Sequence, residues 1–213
     1  MSTAALDLGS GWRLGESAYR AIVDDLRSIG ARSIVEFGSG VSTLRLSRDL
    51  PNAQILSIEG DLAYCEQTRR DLDQHGGRAE VELVHRPIRW QRHGLGVFRS
   101  YAPGRFPSAV DAVLIDGPPL ATRRGREACL YQVFATSHAG TRFYLDDFCR
   151  EAEQQIVANW LRAYPGALVH RTTFEVDHHI AVLERVDGEM GHRTHWRNTV
   201  DSLTQTAKLL LRP

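Results

Sequence analysis

The sequence predicts an α/β fold in three layers, with a mostly parallel seven-stranded sheet between helices. Short runs rich in Val, Ile and Leu alternate with longer amphipathic stretches, which is typical of parallel strands joined by helices. A Gly-x-Gly turn follows the first run, and carboxylates follow several others. A turn too short for a helical crossover joins the last two runs, so we expect the last strand to be antiparallel.

The first half of the chain predicts an opening helix and three strands. Ala18, Ile22 and Leu26 recur at helical spacing, and Gly30 ends that helix. Each of the next three strands is a β-rich run, and amphipathic segments that end at Pro51 or at a Gly-Gly pair follow the first two. The predicted helices are 15–29, 41–50 and 61–74, and the predicted strands are 33–37, 54–58 and 80–84.

Residues 86–109 break this alternation. Prolines and glycines lie among four aromatic residues, which predicts a long irregular connection that the aromatics keep ordered. Loops of this length are usually functional, so we expect the substrate to meet this segment. The candidate contacts are Trp90, Arg92, Phe98 and Tyr101.

The alternation then resumes up to a polar linker at 187–195. The predicted strands are 110–115, 141–145, 167–172 and 179–184, and the predicted helices are 122–137, 150–163 and 196–211. Residues 1–186 are predicted to form the domain, with 187–213 packed on it as linker and helix. The last helix has one apolar stripe, expected to pack on the domain, with a homodimer contact as the alternative. The stripe contains Val200, Leu203, Ala207, Leu210 and Leu211.

The composition excludes several classes of protein. Of the 213 residues, 42% are hydrophobic, and Lys plus Arg equals Asp plus Glu at 26 each. Nucleic-acid binders usually carry a basic excess, so no nucleic-acid partner is expected. No apolar run approaches the ~18 residues that span a membrane, and Met1–Trp12 lacks a secretory pattern. We therefore expect a cytoplasmic protein without a membrane partner. The three cysteines form no CxxC pair, so neither zinc nor disulfides are expected.

The turn after the first strand combines an acid, two glycines and three hydroxyls. Glycines let a backbone turn sharply and approach a ligand closely. The helix that follows offers free N–H groups and the positive end of its dipole. The third glycine of a dinucleotide fingerprint is absent, and a plain strand–helix turn is the alternative. The candidate binding residues are Glu36, Gly38, Ser39, Gly40, Ser42 and Thr43.

Carboxylates follow three further strands. Glu59 ends the second strand, where an acid can accept both hydroxyl hydrogens of a ribose. Helix capping is the alternative for Glu59, although Asp61 could provide it. Asp116 and Asp146 follow the fourth and fifth strands and are the candidate catalytic residues, because such strand ends line the ligand crevice of open sheets.

Asp116, Asp146 and Asp147 also predict a metal site. Oxygen ligands suit Mg²⁺ or Ca²⁺, and a shared cation would offset the repulsion among the acids. Neighbours on a strand point to opposite faces, so all three reach one ion only if Asp147 lies in the loop. The alternative is that Asp147 caps the next helix while Asp146 alone faces the site, and both interpretations stay open.

Other polar residues carry weaker signals. Arg86 follows the third strand, where it could flank an adenine. His178 and His179 are expected in a surface turn, with a place at the active-site end as the alternative. Three arginines are expected on a solvated helix face, with an anionic substrate as the alternative ligand. These are Arg123, Arg124 and Arg126.

In this order the motifs resemble those of class I S-adenosylmethionine-dependent methyltransferases, over Ile34 to Glu184. VEFGSGVSTL resembles the motif that holds the methionine part of the cofactor, and SIEGD the motif whose acid binds the ribose. VLIDGPP and YLDDF resemble the fourth- and fifth-strand motifs of a bacterial subgroup of small methyltransferases. The resemblance implies a Rossmann-like fold, S-adenosylmethionine (SAM) as the cofactor, Asp116 and Arg86 near it, and a small-molecule substrate.

The three aspartates are also similar to those of metal-dependent O-methyltransferases of the catechol type. Those enzymes have an Asp-Asn pair after strand five, where this chain has Asp146-Asp147. The lysine base that commonly follows the first Asp has no match, because Lys208 is the only lysine. A carboxylate or a histidine must then act as the base, or a metal must lower the pKa of the acceptor hydroxyl.

Four functions are compatible with these motifs. The first is a metal-assisted O-methyltransferase that acts on a small hydroxylated molecule. The second is a metal-independent methyltransferase that acts on another N- or O-acceptor. A nicotinamide dehydrogenase is disfavoured by the missing third glycine, and a non-catalytic binding module by the intact glycine-rich turn and Glu59.

Overall fold

The computed structural model describes residues 14–188 and 191–211. The expectation about Met1–Trp12 lies outside the described residues. A seven-stranded sheet is built from β1 (Ser33–Phe37), β2 (Gln54–Glu59), β3 (Glu80–His85), β6 (Val110–Ile115), β7 (Ser137–Leu145), β8 (Leu168–Phe174) and β9 (Ile180–Arg185). A separate hairpin contains β4 (Ile88–His93) and β5 (Gly96–Tyr101).

The sheet has the order β3-β2-β1-β6-β7-β9-β8. Strand β9 is antiparallel to both of its neighbours, β7 and β8, and the other pairs are parallel. This confirms the predicted mostly parallel sheet with an antiparallel last strand.

Helices cover both faces of the sheet, which gives the three predicted layers. They are α1 (Glu16–Ser28), α2 (Val41–Asp49), α3 (Leu62–His75), α4 (Gly125–Val133), α5 (Glu151–Ala163) and α6 (Trp196–Leu210). Side chains of β1 alternate between two cores. Ile34 packs with α1 and α2, whereas Val35 and Phe37 belong to the core that α4 and α5 cover. Burial on both faces explains why the strands are continuous apolar runs.

The strand order reverses between β1 and β6. The chain runs outward from β1 through β2 to β3, then returns to β6 on the other side of β1. The carboxyl ends of β1, β2, β6 and β7 lie at one edge of the sheet because these strands are parallel. Such a reversal forms the ligand crevice of open α/β sheets.

The hairpin corrects the prediction of an irregular segment at 86–109. Strands β4 and β5 pair antiparallel from Ile88–Tyr101 to His93–Gly96. Gly94, at φ 58°, and Leu95 connect them. A two-residue connection with a left-handed glycine is typical of tight hairpins. The prolines and glycines of this segment therefore flank a hairpin and do not mark an irregular loop.

The helix predicted over 122–137 is also shorter. Single 3₁₀ turns at Leu120–Thr122 and Phe134–Thr136 flank α4, and β7 begins at Ser137. Arg123 has φ 58°, a left-handed backbone that a helix cannot continue through, so it separates the first turn from α4.

Helix α6 packs on the hairpin and on α5 through polar groups. The Ser202 hydroxyl accepts from the Val97 N–H and donates to the Val97 carbonyl, each at 2.8 Å. Asn198 donates to the Asn159 carbonyl at 2.9 Å. The helix therefore lies on the domain by its polar face, whereas the apolar stripe faces away from the domain. Its exposed fractions are Val200 51%, Leu203 53%, Leu210 70% and Leu211 82%.

The β8–β9 turn holds the start of α1. The Ala18 N–H donates to Asp177 Oδ2 at 2.8 Å. Gly15 makes this approach feasible, since a Cβ there would lie 2.1 Å from the same oxygen. Within the described part of the chain, no helix combines the length and apolar character needed to cross a membrane.

Candidate active site

Glu36 organises the glycine-rich turn from beneath. Its carboxylate is 1% exposed and accepts from the hydroxyls of Ser42 at 2.6 Å, Thr43 at 2.5 Å and Ser57 at 2.7 Å. Burial raises the pKa of Glu36, and the three hydroxyls oppose that rise. Thr43 Oγ1 also accepts from the Gly40 N–H at 3.0 Å, so one hydroxyl joins the turn to the acid.

The two glycines of the turn have different roles. A Cβ on Gly38 would lie 3.1 Å from the Gly117 nitrogen, so Gly38 lets the β1 turn lie against the β6 turn. Gly40 has φ 147° and nothing within 4 Å of where a Cβ would stand. The backbone at Gly40 therefore borders open space above the sheet edge, where a ligand can approach it.

Glu59 links the β1 and β2 turns. Its Oε1 accepts from the N–H groups of Gly60 at 2.7 Å and Asp61 at 2.9 Å. Its Oε2 accepts from the Ser39 N–H at 3.0 Å and the Ser39 hydroxyl at 3.2 Å. Asp61, not Glu59, caps α3 by accepting from the Tyr64 N–H at 3.0 Å. The carboxylate of Glu59 thus lies beside the Gly38–Gly40 turn.

Asp116, Asp146 and Asp147 come together at the ends of β6 and β7. One carboxylate oxygen from each lies within 4.8 Å of the others. Strand β7 ends at Leu145, and Asp147 has φ 62° in the following loop. Because Asp147 lies in the loop with a left-handed backbone, the side chains of Asp146 and Asp147 point to the same side instead of to opposite faces of the sheet. Asp147 makes no capping hydrogen bond, since α5 begins after Arg150.

A buried arginine lies among these acids. Arg126, 5% exposed on α4, donates to the Asp116 carbonyl at 2.8 Å and to Asp147 Oδ2 at 3.0 Å. Its guanidinium is also 3.5 Å from Asp116 Oδ1 and 3.7 Å from Glu153 Oε1. The expectation that Arg126 lies on a solvated helix face was wrong. It was also wrong for Arg124, which precedes α4 and forms an ion pair with Glu127 of that helix.

Two of the acids have pKa values above the usual range of an aspartate. Burial and then the neighbouring Asp146 carboxylate raise the pKa of Asp116 well above its usual range. Burial and then Asp147 raise the pKa of Asp146. Raised carboxyl pKa values beside a cleft are typical of groups that exchange protons with a ligand.

Arginines compete with a divalent ion for one oxygen of this cluster. Asp147 Oδ2 is already in contact with Arg126 and lies 2.7 Å from Arg150 Nη1. A cation at that oxygen would stand beside two guanidinium groups, and like charges this close repel strongly. Within the described residues, arginines already neutralise part of the negative charge that would attract the ion.

The remaining predicted residues lie at the edges of the site. The Arg86 N–H donates to the Glu59 carbonyl at 2.7 Å, but its side chain turns to the Arg105 carbonyl and to the Phe106 ring. His178, expected in a surface turn, is at the site end of the sheet, with Nδ1 3.7 Å from Asp147 Oδ1. A narrow cleft is lined by Glu36, Asp116 and Asp146.

Arg126 is the functional candidate whose burial among the acids the sequence did not predict. It lies ten residues beyond Asp116, on a helix whose facing could not be read from its weakly amphipathic pattern. The available signal was the cluster of acids itself, because carboxylates that meet at strand ends need a cation nearby.

No family model matches the chain, and no curated protein matches it. Several solved structures do. An O-methyltransferase from Bacillus cereus in complex with SAH is 15% identical, with TM-score 0.61, covering 83% of this chain and 84% of its own. The O-methyltransferase TomG from Streptomyces achromogenes, involved in tomaymycin synthesis and in complex with SAM, is 17% identical, with TM-score 0.59 and coverage of 83% and 82%.

A methyltransferase-like protein from Silicibacter pomeroyi matches over a greater length. It is 17% identical, with TM-score 0.57, and the match covers 95% of this chain and 98% of that one. Identities this low establish a shared architecture. The chain therefore has the Rossmann-like fold of these methyltransferase structures.

Proposed function

We propose that the chain is a SAM-dependent methyltransferase that transfers a methyl group to a hydroxyl of a small molecule. The observation that carries this proposal is the Glu36-bound turn at the strand reversal, with Glu59 and Asp116 on either side. The fold shared with structures in complex with SAM and SAH supports it.

The cofactor would lie across the carboxyl ends of β1 and β2. Gly38, Ser39 and Gly40 would face its methionine part with their backbone, and Ser42, Thr43 and Glu36 would hold that backbone in place. Glu59 would bind the ribose. Its four acceptor positions are filled by Ser39, Gly60 and Asp61, so the ribose hydroxyls would replace the Ser39 contacts. The Arg86 backbone would flank the adenine.

SAM supplies an electrophilic methyl group when bound. The chain must then position the acceptor oxygen in line with the methyl–sulfur bond and take the proton of its hydroxyl. Asp146 and Asp116 are the proposed general bases, because a raised pKa makes a carboxylate a better proton acceptor. The only lysine, Lys208, lies on α6 and contributes nothing to this site.

Calorimetric titration with SAM tests the cofactor class. We expect micromolar binding, and a loss of at least about tenfold in Glu59→Ala, which removes the charge-assisted hydrogen bonds to the ribose. The matched control is Glu66→Ala, an exposed acid on α3, which should bind like wild type. No binding to the wild type would refute the proposal. Binding without turnover over a broad panel of acceptors would favour the non-catalytic module.

We also propose that Arg126, not Mg²⁺ or Ca²⁺, is the cation of this site. Electron paramagnetic resonance with Mn²⁺ should then show no saturable binding to the wild type. Arg126→Met should expose the three aspartates and create a binding site. Submillimolar Mn²⁺ binding to the wild type would refute this proposal in favour of metal assistance, whether or not the variant folds.

A further inference from the structure

We propose that the methyl acceptor carries an anionic group of the phosphate-ester class, and that the outer face of the β4–β5 hairpin binds this group. The acceptor part of this inference rests on the proposed function, whereas the anion site rests on the hairpin itself. The outer face contains Trp90, Arg92, Val97 and Arg99.

Charge is distributed unevenly along this neutral chain. Between Glu82 and Asp111 there is no acidic residue, although the segment contains five arginines. They are Arg86, Arg89, Arg92, Arg99 and Arg105. In a chain with 26 acids and 26 bases, one segment therefore concentrates positive charge without its own counter-ions.

Within the described residues these arginines form no ion pair with a carboxylate, unlike several others. Arg92 and Arg99 are exposed and form no ion pair among the described residues. By contrast, Arg45, Arg126 and Arg142 each pair with an acid. The hairpin guanidinium groups are consequently available to an external anion, which they can bind through two parallel N–H donors.

Arg86 adds a buried cation at the foot of the hairpin. It is 9% exposed, its Nη1 has no hydrogen-bond partner, and no acid pairs with it in the described part of the chain. Burial lowers its pKa, because a charged group is costly to desolvate, and the charge of Glu82 opposes this only in part. A buried guanidinium whose Nη1 lacks a hydrogen-bond partner is a second, independent sign that this segment faces an anion.

The strand register connects the outer face to the active site. Cross-strand partners share a face, so the pairs Ile88–Tyr101 and Trp90–Arg99 lie on the same side. The first pair lies at the β2 turn, where a Cβ on Gly60 would be 2.9 Å from Ile88 and 3.2 Å from Tyr101. Two residues of strand, ~7 Å, separate it from Trp90 and Arg99. An acceptor in the site could reach both.

The side chains define the chemistry of the ligand. Trp90 is 48% exposed and offers an aromatic surface, with Arg99 across from it on β5 and Arg92 two residues along β4. A planar group can stack on it while a phosphate meets Arg92 and Arg99. The formal net charge of zero and the small extent of this face favour a small molecule over a nucleic acid.

Calorimetry with phenyl phosphate as the probe and phenol as its neutral counterpart tests the anion site. We expect saturable binding of phenyl phosphate only, weakened about a hundredfold in Arg92→Ala/Arg99→Ala, since each of the two lost charge-assisted contacts is worth about tenfold. The matched control is Arg32→Ala/Arg78→Ala. It removes the same charge from exposed arginines at the opposite edge of the sheet, and binding should be unchanged.

The outcomes separate this inference from the proposed function. Equal losses in both double variants, or no saturable binding up to about 10 mM, would overturn it. Tighter binding of a single-stranded oligonucleotide, lost in Arg92→Ala/Arg99→Ala, would replace the small molecule with nucleic acid. SAM titration of the same samples reports the proposed function separately. Phenyl phosphate binding without SAM binding would support the anion site and refute the methyltransferase.

Discussion

Thr43 links the acid beneath the glycine-rich turn to the backbone of the turn itself. It is fully buried, donates to Glu36 and accepts from the Gly40 N–H. A buried carboxylate that loses a donor cannot turn to water, so the cost of removing such a hydroxyl exceeds that of an average hydrogen bond. The shape of the turn therefore depends on a side chain that need not touch the ligand.

Thr43→Val keeps the shape of the side chain and removes only this hydroxyl. We expect the free energy of unfolding to fall by about 1–3 kcal/mol, because the buried Glu36 carboxylate loses one of its hydrogen-bond donors. SAM affinity should fall as well, since the turn would no longer be held in one conformation. Urea unfolding and calorimetry measure the two effects. Thr204→Val, at an exposed position on α6, should change neither.

At the level of elements, the tip of the hairpin packs through histidines. The His93 ring lies 6.0 Å from Phe98 and 5.6 Å from Tyr131 between ring centroids. Burial, followed by the charge of His192, lowers the pKa of His93 to about 4. The folded hairpin therefore excludes a proton that the unfolded chain accepts near pH 6.5.

Acid should loosen this packing. Above pH 6.5 His93 is neutral in both states, and as the pH falls toward 4 only the unfolded chain becomes protonated, so stability is lost across that window. The loss would reach about 3 kcal/mol at most. His93→Phe should show a smaller decrease in stability between pH 7 and 4.5 in urea unfolding. An equal decrease in stability of wild type and His93→Phe would contradict this prediction. The control is His75→Phe, at an exposed position on α3, which should lose as much stability as the wild type.

The same hairpin marks the boundary of what the sequence could predict. The buried strands of the sheet were predictable because each is a continuous apolar run between turn residues. The hairpin strands are not, since Arg and Gln alternate with aromatics and one face is exposed. The Gly94-Leu95 pair between two such runs was the signal available for a hairpin.

Within the site, residues at strand ends could be predicted from the sequence, whereas residues brought in by tertiary packing could not. The glycine-rich turn, Glu59 and Asp116 each follow a strand directly, so their common edge could be predicted from the sequence alone. Arg126 and His178 reach the site by tertiary packing of α4 and the β8–β9 turn, which no spacing in the chain encodes. The amphipathic pattern of α6 likewise gave a stripe but not the direction it faces.

At the level of the whole molecule, α6 presents an apolar surface away from the domain. Trp196, Val200, Leu203 and Leu210 recur at helical spacing and are each more than half exposed. Burying each such side chain in a second copy would contribute about 1.5–3 kcal/mol. We expect a homodimer formed through this stripe.

Light scattering after size-exclusion chromatography measures that assembly. The wild type should elute as a dimer, and Leu203→Glu as a monomer, because a charge at the centre of the stripe is costly to bury. Thr204→Glu, its exposed neighbour on α6, should remain dimeric. A monomeric wild type at micromolar concentration would rule out the contact.

The contact between Ala18 and Asp177 has a consequence for how the chain is made. The cap that holds the first turn of α1 comes from a residue 159 positions later. A ribosome must therefore synthesise almost the whole domain before α1 receives its last hydrogen bond. During that time the N-terminal helix has only the sheet strands already made to hold it, and a chain truncated before the β8–β9 turn would never complete it.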